Sequence, residues 1–354
     1  MIQTIFETLT DFFETPKVLR QHLPILSEAA INISLNTDMQ INVRSTTIFF
    51  LEQIGDTFGR SLAKKNVELL RKIIECGFRI ACEDTEEYPD EEESPHYLAL
   101  CMLFNFAAEV PNEVVYPVFK QSILAFCANE ADPLVRKAGV KILGHVCESD
   151  ALLDCIKDDI ETWTDLIVKS LVDQDAVVRE AACLGVGEFS ESVVPDFLEQ
   201  HEKVMPVLLQ VLSGLLETST QSEDTASSTE RAIYALAEFA AAMEATEVKG
   251  YLQQSVQLCL EYVGGQGQRR GVRYQALNAL SSLISAAEES IMPYRDNLLE
   301  VFYAIVKNST SSTEQLVRGK ALMCAGNLAQ ACGQANFPQE ALEIFTKFGL
   351  ECIQ

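Results

Sequence analysis

The chain has 354 residues, 48% hydrophobic and 22% charged, which excludes intrinsic disorder and leaves enough apolar surface for a continuous core. Asp and Glu number 52 against 27 Lys and Arg, a formal net charge of -25. Such a field repels nucleic acid and anionic membrane and attracts basic proteins, although acidity alone also serves solubility. No apolar run approaches the length of a membrane span and no signal peptide is recognisable, so a soluble intracellular chain is expected. The eleven cysteines form no C-x-x-C pair and read as small buried hydrophobes in a reducing compartment.

In chain order, the apolar spacing predicts an amphipathic helix from Ile2 to Phe13 with no partner before it, as for the second helix of a pair. A helix from Leu23 to about Ile33 and another from Asn42 to about Phe58 follow. The third pair is Val67 to Cys82 with His96 to Val110, separated by an acidic loop over residues 83–95. The fourth is Tyr116 to Cys127 with Pro133 to Cys147, opened by Asp132 as N-cap. The fifth is Cys155 to Leu171 with Ala176 to Glu191, opened by Asp175. The sixth is His201 to Leu216 with Thr229 to Met243, joined by a polar loop, residues 218–228, expected to be mobile. Val248 to Tyr262 with Val272 to Glu289, then Met292 to Lys307 with Gln315 to Cys332, complete eight units, and a helix from Pro338 to about Ile353 is left without a partner.

These pairs share a signature. Val-Arg recurs at Val43-Arg44, Val135-Arg136, Val178-Arg179, Val272-Arg273 and Val317-Arg318, in steps of 92, 43, 94 and 45. Pro24, Pro117, Pro206, Pro293 and Pro338 keep a similar beat. A period of about 45 with helical patterning belongs to HEAT and armadillo arrays. The expected fold is all-α, a superhelical α-solenoid of about seven to eight HEAT repeats, forming a single array over residues 1–354 that reads as truncated at both ends.

No reaction centre is legible. The segment Gly265-Gln266-Gly267-Gln268-Arg269-Arg270 carries Arg where the third glycine of a phosphate loop belongs, and no strand precedes it. His22, His96, His145 and His201 lack metal-ligand spacing, and G-x-S-x-G is absent. Neither a metal, a cofactor nor an enzymatic activity is expected. Lone Trp163 reads as a packing residue.

Aligning the second helices brings Gln53, Asn105, His145, Glu188, Glu238, Ser282 and Asn327 to one position, polar in all seven units. Three residues on stand Asp56, Ala108, Glu148, Glu191, Ala241, Ser285 and Gln330, polar in five. Residues three apart share a helix face, so stacked helices should present one polar and acidic stripe, with Asn278 a turn before Ser282. A solvated helix side accounts for polarity as such. It accounts less well for the short neutral choices Asn105, Ser282, Ser285 and Asn327. The candidate cargo-binding residues are therefore Gln53, Asp56, Asn105, Glu148, Glu188, Glu191, Glu238, Asn278, Ser282, Ser285 and Asn327, on a wall expected to be concave.

The segment Ala176-Val177-Val178-Arg179-Glu180-Ala181-Ala182-Cys183-Leu184-Gly185-Val186-Gly187-Glu188-Phe189 resembles the repeat signature of the importin-beta superfamily, the karyopherins. Ile291 to Leu299 and Leu316 to Leu322 do so too, and with Phe58 to Cys82 and Tyr97 to Val118 the likeness is to the importin-four and importin-five branch. The resemblance implies a nuclear import carrier moving between cytoplasm and nucleus. Such a carrier holds basic cargo (histones, ribosomal proteins, NLS peptides) on its concave side, meets Phe-Gly nucleoporins on its convex side, and releases cargo to Ran-GTP. Ran is bound mainly by the family's first repeats, which this chain lacks by the same reading, so cargo contact is the activity the segment would keep, as a monomer without direct nucleic-acid or membrane contact. The competing reading is a HEAT scaffold subunit of a multi-subunit complex such as a phosphatase, which would use inter-helix loops and a folded partner.

Overall fold

The computed structural model describes residues 1–83, 94–309, 311–333 and 335–353; most of the acidic segment expected over 83–95, namely 84–93, lies outside the described residues. Every regular element among the described residues is helical. The chain divides into two compact units, Met1–Ser170 and Leu171–Gln354.

The first unit holds α1 (Ile2–Asp11), α2 (Pro16–Leu19), α3 (Leu23–Ser34), α4 (Ile41–Lys65), α5 (Val67–Ile80), α6 (Pro95–Glu109), α7 (Asn112–Cys127), α8 (Pro133–Cys147) and α9 (Asp150–Asp158), with α10 (Ile160–Leu171) at its end. Helix α3 packs on α4, α5 on α6 and α7 on α8, while α1, α4, α6 and α8 lie side by side in sequence order. Each helix is amphipathic for a plain reason: α5, for example, buries Leu69, Leu70, Ile73, Ile74, Gly77, Phe78 and Ile80, spaced at the helical repeat, and leaves Glu68, Lys72, Glu75 and Arg79 to solvent. One pair cannot cover that face alone, so neighbours stack.

The second unit repeats the scheme with α11 (Ala176–Ser192), α12 (His201–Leu216), α13 (Glu223–Ala242), α14 (Ala245–Val248), α15 (Leu252–Gly264), α16 (Arg270–Ala287), α17 (Arg295–Asn308), α18 (Gln315–Cys332) and α19 (Gln339–Ile353). Here α12 pairs with α13, α15 with α16 and α17 with α18, and the second helices α11, α13, α16 and α18 form the row. Helix α19 packs on α17 and α18.

The structure explains the recurring arginine. Carbonyls at and just past the end of a helix lack an intrahelical donor, and in three repeats the Val-Arg guanidinium supplies one. Arg44 Nε donates to the Ser34 carbonyl at 2.9 Å, at the end of α3, and Arg44 also pairs with Glu83. Arg136 Nη1 donates to the Asn129 carbonyl at 2.9 Å, just past α7, and Arg179 Nη1 to those of Asp173 and Gln174 at 2.7 and 2.9 Å. The other two have been redeployed: Arg273 pairs with Glu314 at 2.8 Å, and Arg318 lies 5.7 Å from the Phe348 ring centre.

Several boundaries differ from the sequence reading. Helix α4 continues seven residues beyond Phe58, to Lys65, because Leu62 and Ala63 are buried. The helix expected from Cys155 to Leu171 is two, α9 and α10, broken at Asp159. That break is pinned by a network in which Trp163 Nε1 donates to the Tyr116 hydroxyl at 3.1 Å, Tyr116 donates to Asp159 at 2.6 Å, and Lys120 pairs with Asp159 at 2.6 Å. Trp163 itself is fully buried, as a packing residue should be. Residues 223–228, read as loop, form the first turns of α13, where Ser222 and Thr225 close a capping box that makes a polar sequence a helix start. The stretch Val248 to Tyr262 is split between α14 and α15, and Met292 to Tyr294 belong to a 3-10 turn before α17. Asp132 caps α8 through Leu134 N at 2.9 Å, whereas Asp175 makes no side-chain capping bond to α11. Helix α7 starts at Asn112, four residues before the expected Tyr116, so Pro117 lies inside it, whereas α12 runs over His201–Leu216 as expected, with Pro206 inside it.

Loss of a helix-end arginine should therefore cost more than loss of a surface one. Arg136→Leu leaves the Asn129 carbonyl short of its donor and is expected to lower unfolding free energy by about 1–3 kcal/mol in urea melts. Arg60→Leu, on the exposed side of α4, is expected to change it by less than about 0.5 kcal/mol.

Candidate functional site

The repeat alignment converts directly into depth. All seven residues of the first row, Gln53, Asn105, His145, Glu188, Glu238, Ser282 and Asn327, are half-buried, and all seven three residues on, Asp56, Ala108, Glu148, Glu191, Ala241, Ser285 and Gln330, are exposed. One row thus sits in the seam between neighbouring second helices and the next faces solvent.

In the first unit the seam between α4 and α6 holds a carboxylate cluster. Asn105 of α6 donates its side-chain amide to Glu52 of α4, and Gln53 Nε2 donates to Asp56 at 3.3 Å. Burial, then the charge of Asp56, pushes Glu52 from its ordinary 4.5 up to about 7. Asp56 is also raised, by burial and by Glu109 of α6. On α8, His145 is held below its usual range by burial, against the pull of Glu148, and its ring lies 5.6 Å from that of Phe104.

In the second unit three carboxylates converge on one phenol. The Tyr234 ring of α13 lies against Gly187 of α11, where an added Cβ would come within 2.7 Å of it. Burial first, then Glu238, Glu191 and Glu188, push the Tyr234 hydroxyl up to about 12. Glu238 is raised by burial and by Glu191, with Lys320 of α18 acting against them. Lys320 is half-buried and its Nζ is 6.0 Å from the Tyr274 ring centre on α16. Asn278 and Ser282 are half-buried on the same helix and Ser285 is exposed. Asn327 Nδ2 donates to Ser281 Oγ at 2.8 Å, so part of its polarity ties α18 to α16.

The candidate residues thus form two groups. Gln53, Asp56 and Asn105 gather round Glu52, and Glu188, Glu191 and Glu238 gather round Tyr234. Glu148 is exposed at the C-terminal cap of α8. The alignment by row missed Glu52, Glu109, Tyr234, Tyr274 and Lys320. Tyr234 precedes Glu238 by one turn, so extending the row backwards would have found it. Among the described residues no group of His, Cys, Asp and Glu could hold a metal, and no helix is long and apolar enough to cross a membrane.

Stacked helix pairs with a signature arginine at the start of the second helix define a HEAT-repeat α-solenoid. No protein-family model matches the chain. The probable importin subunit beta-4 of Schizosaccharomyces pombe is 23% identical over 264 residues, covering 73% of this chain and 23% of its own. Importin subunit beta-3 of Saccharomyces cerevisiae is 21% identical over 360 residues, covering 98% and 32%. Crystal structures of Kap121p align over 99% of this chain and 33% of theirs, at 19% identity and a TM-score of 0.81, including forms bound to Ste12p and to Pho4p. A form bound to Nup53p aligns with a TM-score of 0.80. The relatives it is similar to are importin-beta family members, and the chain spans about a third or less of the length of the curated relatives it matches.

The raised Glu52 has a measurable consequence. A folded-state pKa above the unfolded one gives stability that is complete below about pH 4.5 and lost as pH rises through about 7. Glu52→Gln should flatten that slope. In thermal melts it is expected to match the parent at pH 4 and to exceed it at pH 8 by on the order of 2–4 °C.

Proposed function

We propose that this chain is the cargo-binding part of a nuclear import receptor, and that extended basic segments lie along the polar face of its second helices. The reading is carried by a Tyr234 ring that lies against Gly187 of α11, with Glu188, Glu191 and Glu238 near enough to act electrostatically on its hydroxyl. An aromatic ring beside several carboxylates suits a lysine, whose stem packs on the ring while its ammonium meets the charges. Asn278, Ser282 and Ser285 on the next helix add neutral acceptors, and the Glu52, Gln53, Asp56 and Asn105 group and Glu148 offer further positions in the first unit. The net charge of -25 favours basic proteins of the histone or ribosomal kind and NLS peptides. Kap121p is known in complexes with Ste12p, Pho4p and Nup53p, which supports cargo and nucleoporin partners for a chain of this fold. Ran-GTP binding is not assigned to this segment.

Single exposed ion pairs contribute about 0–1 kcal/mol, so useful affinity requires several at once. A fluorescent lysine-rich NLS peptide titrated into the chain is expected to bind with an affinity that falls steeply with salt. Glu188→Arg combined with Glu238→Arg should weaken it by about tenfold or more, since both repulsion and lost attraction act. Unchanged affinity in the double variant would remove this site assignment.

A further inference from the structure

We propose, resting on the lysine-binding reading, that Lys320 of α18 seats a carboxylate of the same extended partner whose lysine meets Tyr234 on α13. The partner is then a segment with an acidic residue close to its basic ones. Charge changes sign along the row of second helices in this unit. Helices α11 and α13 are acidic, with Glu188, Glu191 and Glu238 among their carboxylates, whereas α16 and α18 contain no Asp or Glu and carry Arg270, Arg273, Arg318 and Lys320. On a chain of net charge -25, two neighbouring helices of purely positive sign are an exception that solubility does not require.

The three arginines are engaged inside the array: Arg270 Nη1 donates to the Thr313 carbonyl at 2.9 Å, Arg273 pairs with Glu314, and Arg318 lies beside the Phe348 ring. Lys320 is left for the polar face. It stands two turns before Asn327, half-buried, with its Nζ 6.0 Å from the Tyr274 ring centre. On α16, Tyr274, Asn278 and Ser282 follow at four-residue steps, and their hydroxyl and amide groups are donors for a carboxylate. Burial holds the Lys320 ammonium below its ordinary range, against the pull of Cys324 and Glu238, and Glu238 feels Lys320 in return. A partner ammonium that takes up Glu238 therefore strips Lys320 of that counter-charge. A half-desolvated cation left without an anion is costly, and a partner carboxylate restores the pairing. Neighbouring helices lie about 8–10 Å apart, which an extended chain covers in about three residues.

Two fluorescent peptides titrated into the full chain by anisotropy test this: Glu-Ser-Ser-Lys-Lys-Lys-Ser-Ser-Glu and its counterpart with Gln at both ends. Glutamate at both ends serves either direction of binding. Lys320→Met and Lys320→Gln should each weaken the Glu peptide by at least about fivefold relative to the Gln peptide, while keeping parental helicity. Lys347→Met, the same charge change at an exposed lysine of α19, should shift that ratio by less than about twofold, which separates a local contact from the overall field. A ratio unchanged in the Lys320 variants, or changed equally in Lys347→Met, overturns the carboxylate site. The Glu188→Arg, Glu238→Arg double variant reports on the lysine reading separately. If it weakens the Gln peptide and the Lys320 variants leave the ratio alone, only the carboxylate site falls; if the Gln peptide ignores it and the Lys320 effect persists, only the lysine reading falls. Absence of binding by both peptides overturns both.

Discussion

A helix pair in this array depends on what happens to the unpaired carbonyls where its first helix stops. At Arg44, Arg136 and Arg179 the second helix brings a donor to a carbonyl at or just past that end, so the turn between the two helices is tied in these three repeats. The tie sets where the second helix begins, and therefore which of its residues lie in the seam with the next one. A water-filled turn would leave that register loose by a residue or two. A slip of one residue rotates a helix by about 100° and would move the polar row out of its seam.

That register gives the site its chemistry. Half-burial in the seam is what separates Glu52 and Glu238 from an ordinary surface glutamate: each loses hydration, each has a second carboxylate nearby, and each is raised. The protein holds these groups in tension with polar neighbours, Asn105 for Glu52 and Lys320 for Glu238. An arriving ammonium group would meet carboxylates already desolvated by the fold, where charge pairing is stronger than on an open surface. The exposed row beside them, with Asp56, Glu148 and Glu191, adds long-range attraction but little on its own.

Much of this was legible from the chain alone. The spacing of Val-Arg pairs yields the repeat and, with it, the equivalence of positions within each aligned row, whereas the half-burial of the first row and the exposure of the second come from the structure. What periodicity could not reach is local. The break at Asp159 depends on Tyr116 and Trp163, some forty residues away from the break or beside it, meeting through hydroxyl and indole groups. The early start of α13 depends on a capping box in a stretch whose composition resembles a loop. Alignment by one row finds equivalent positions, so it passes over groups supplied by other rows, which is why Tyr234 and Lys320 escaped it. The role of Asn327 is likewise divided, because an amide that looks available in sequence is partly spent on Ser281.

The account stands on basic ligands lying against the second helices. Hydrogen exchange of the amides, measured with and without a lysine-rich NLS peptide, tests this most directly. Protection is predicted to concentrate in the second helices of the Tyr234 group, 176–192, 223–242 and 270–287, with the first helices 201–216 and 252–264 unchanged. Protection falling on those first helices, or on the inter-helix turns alone, would contradict it.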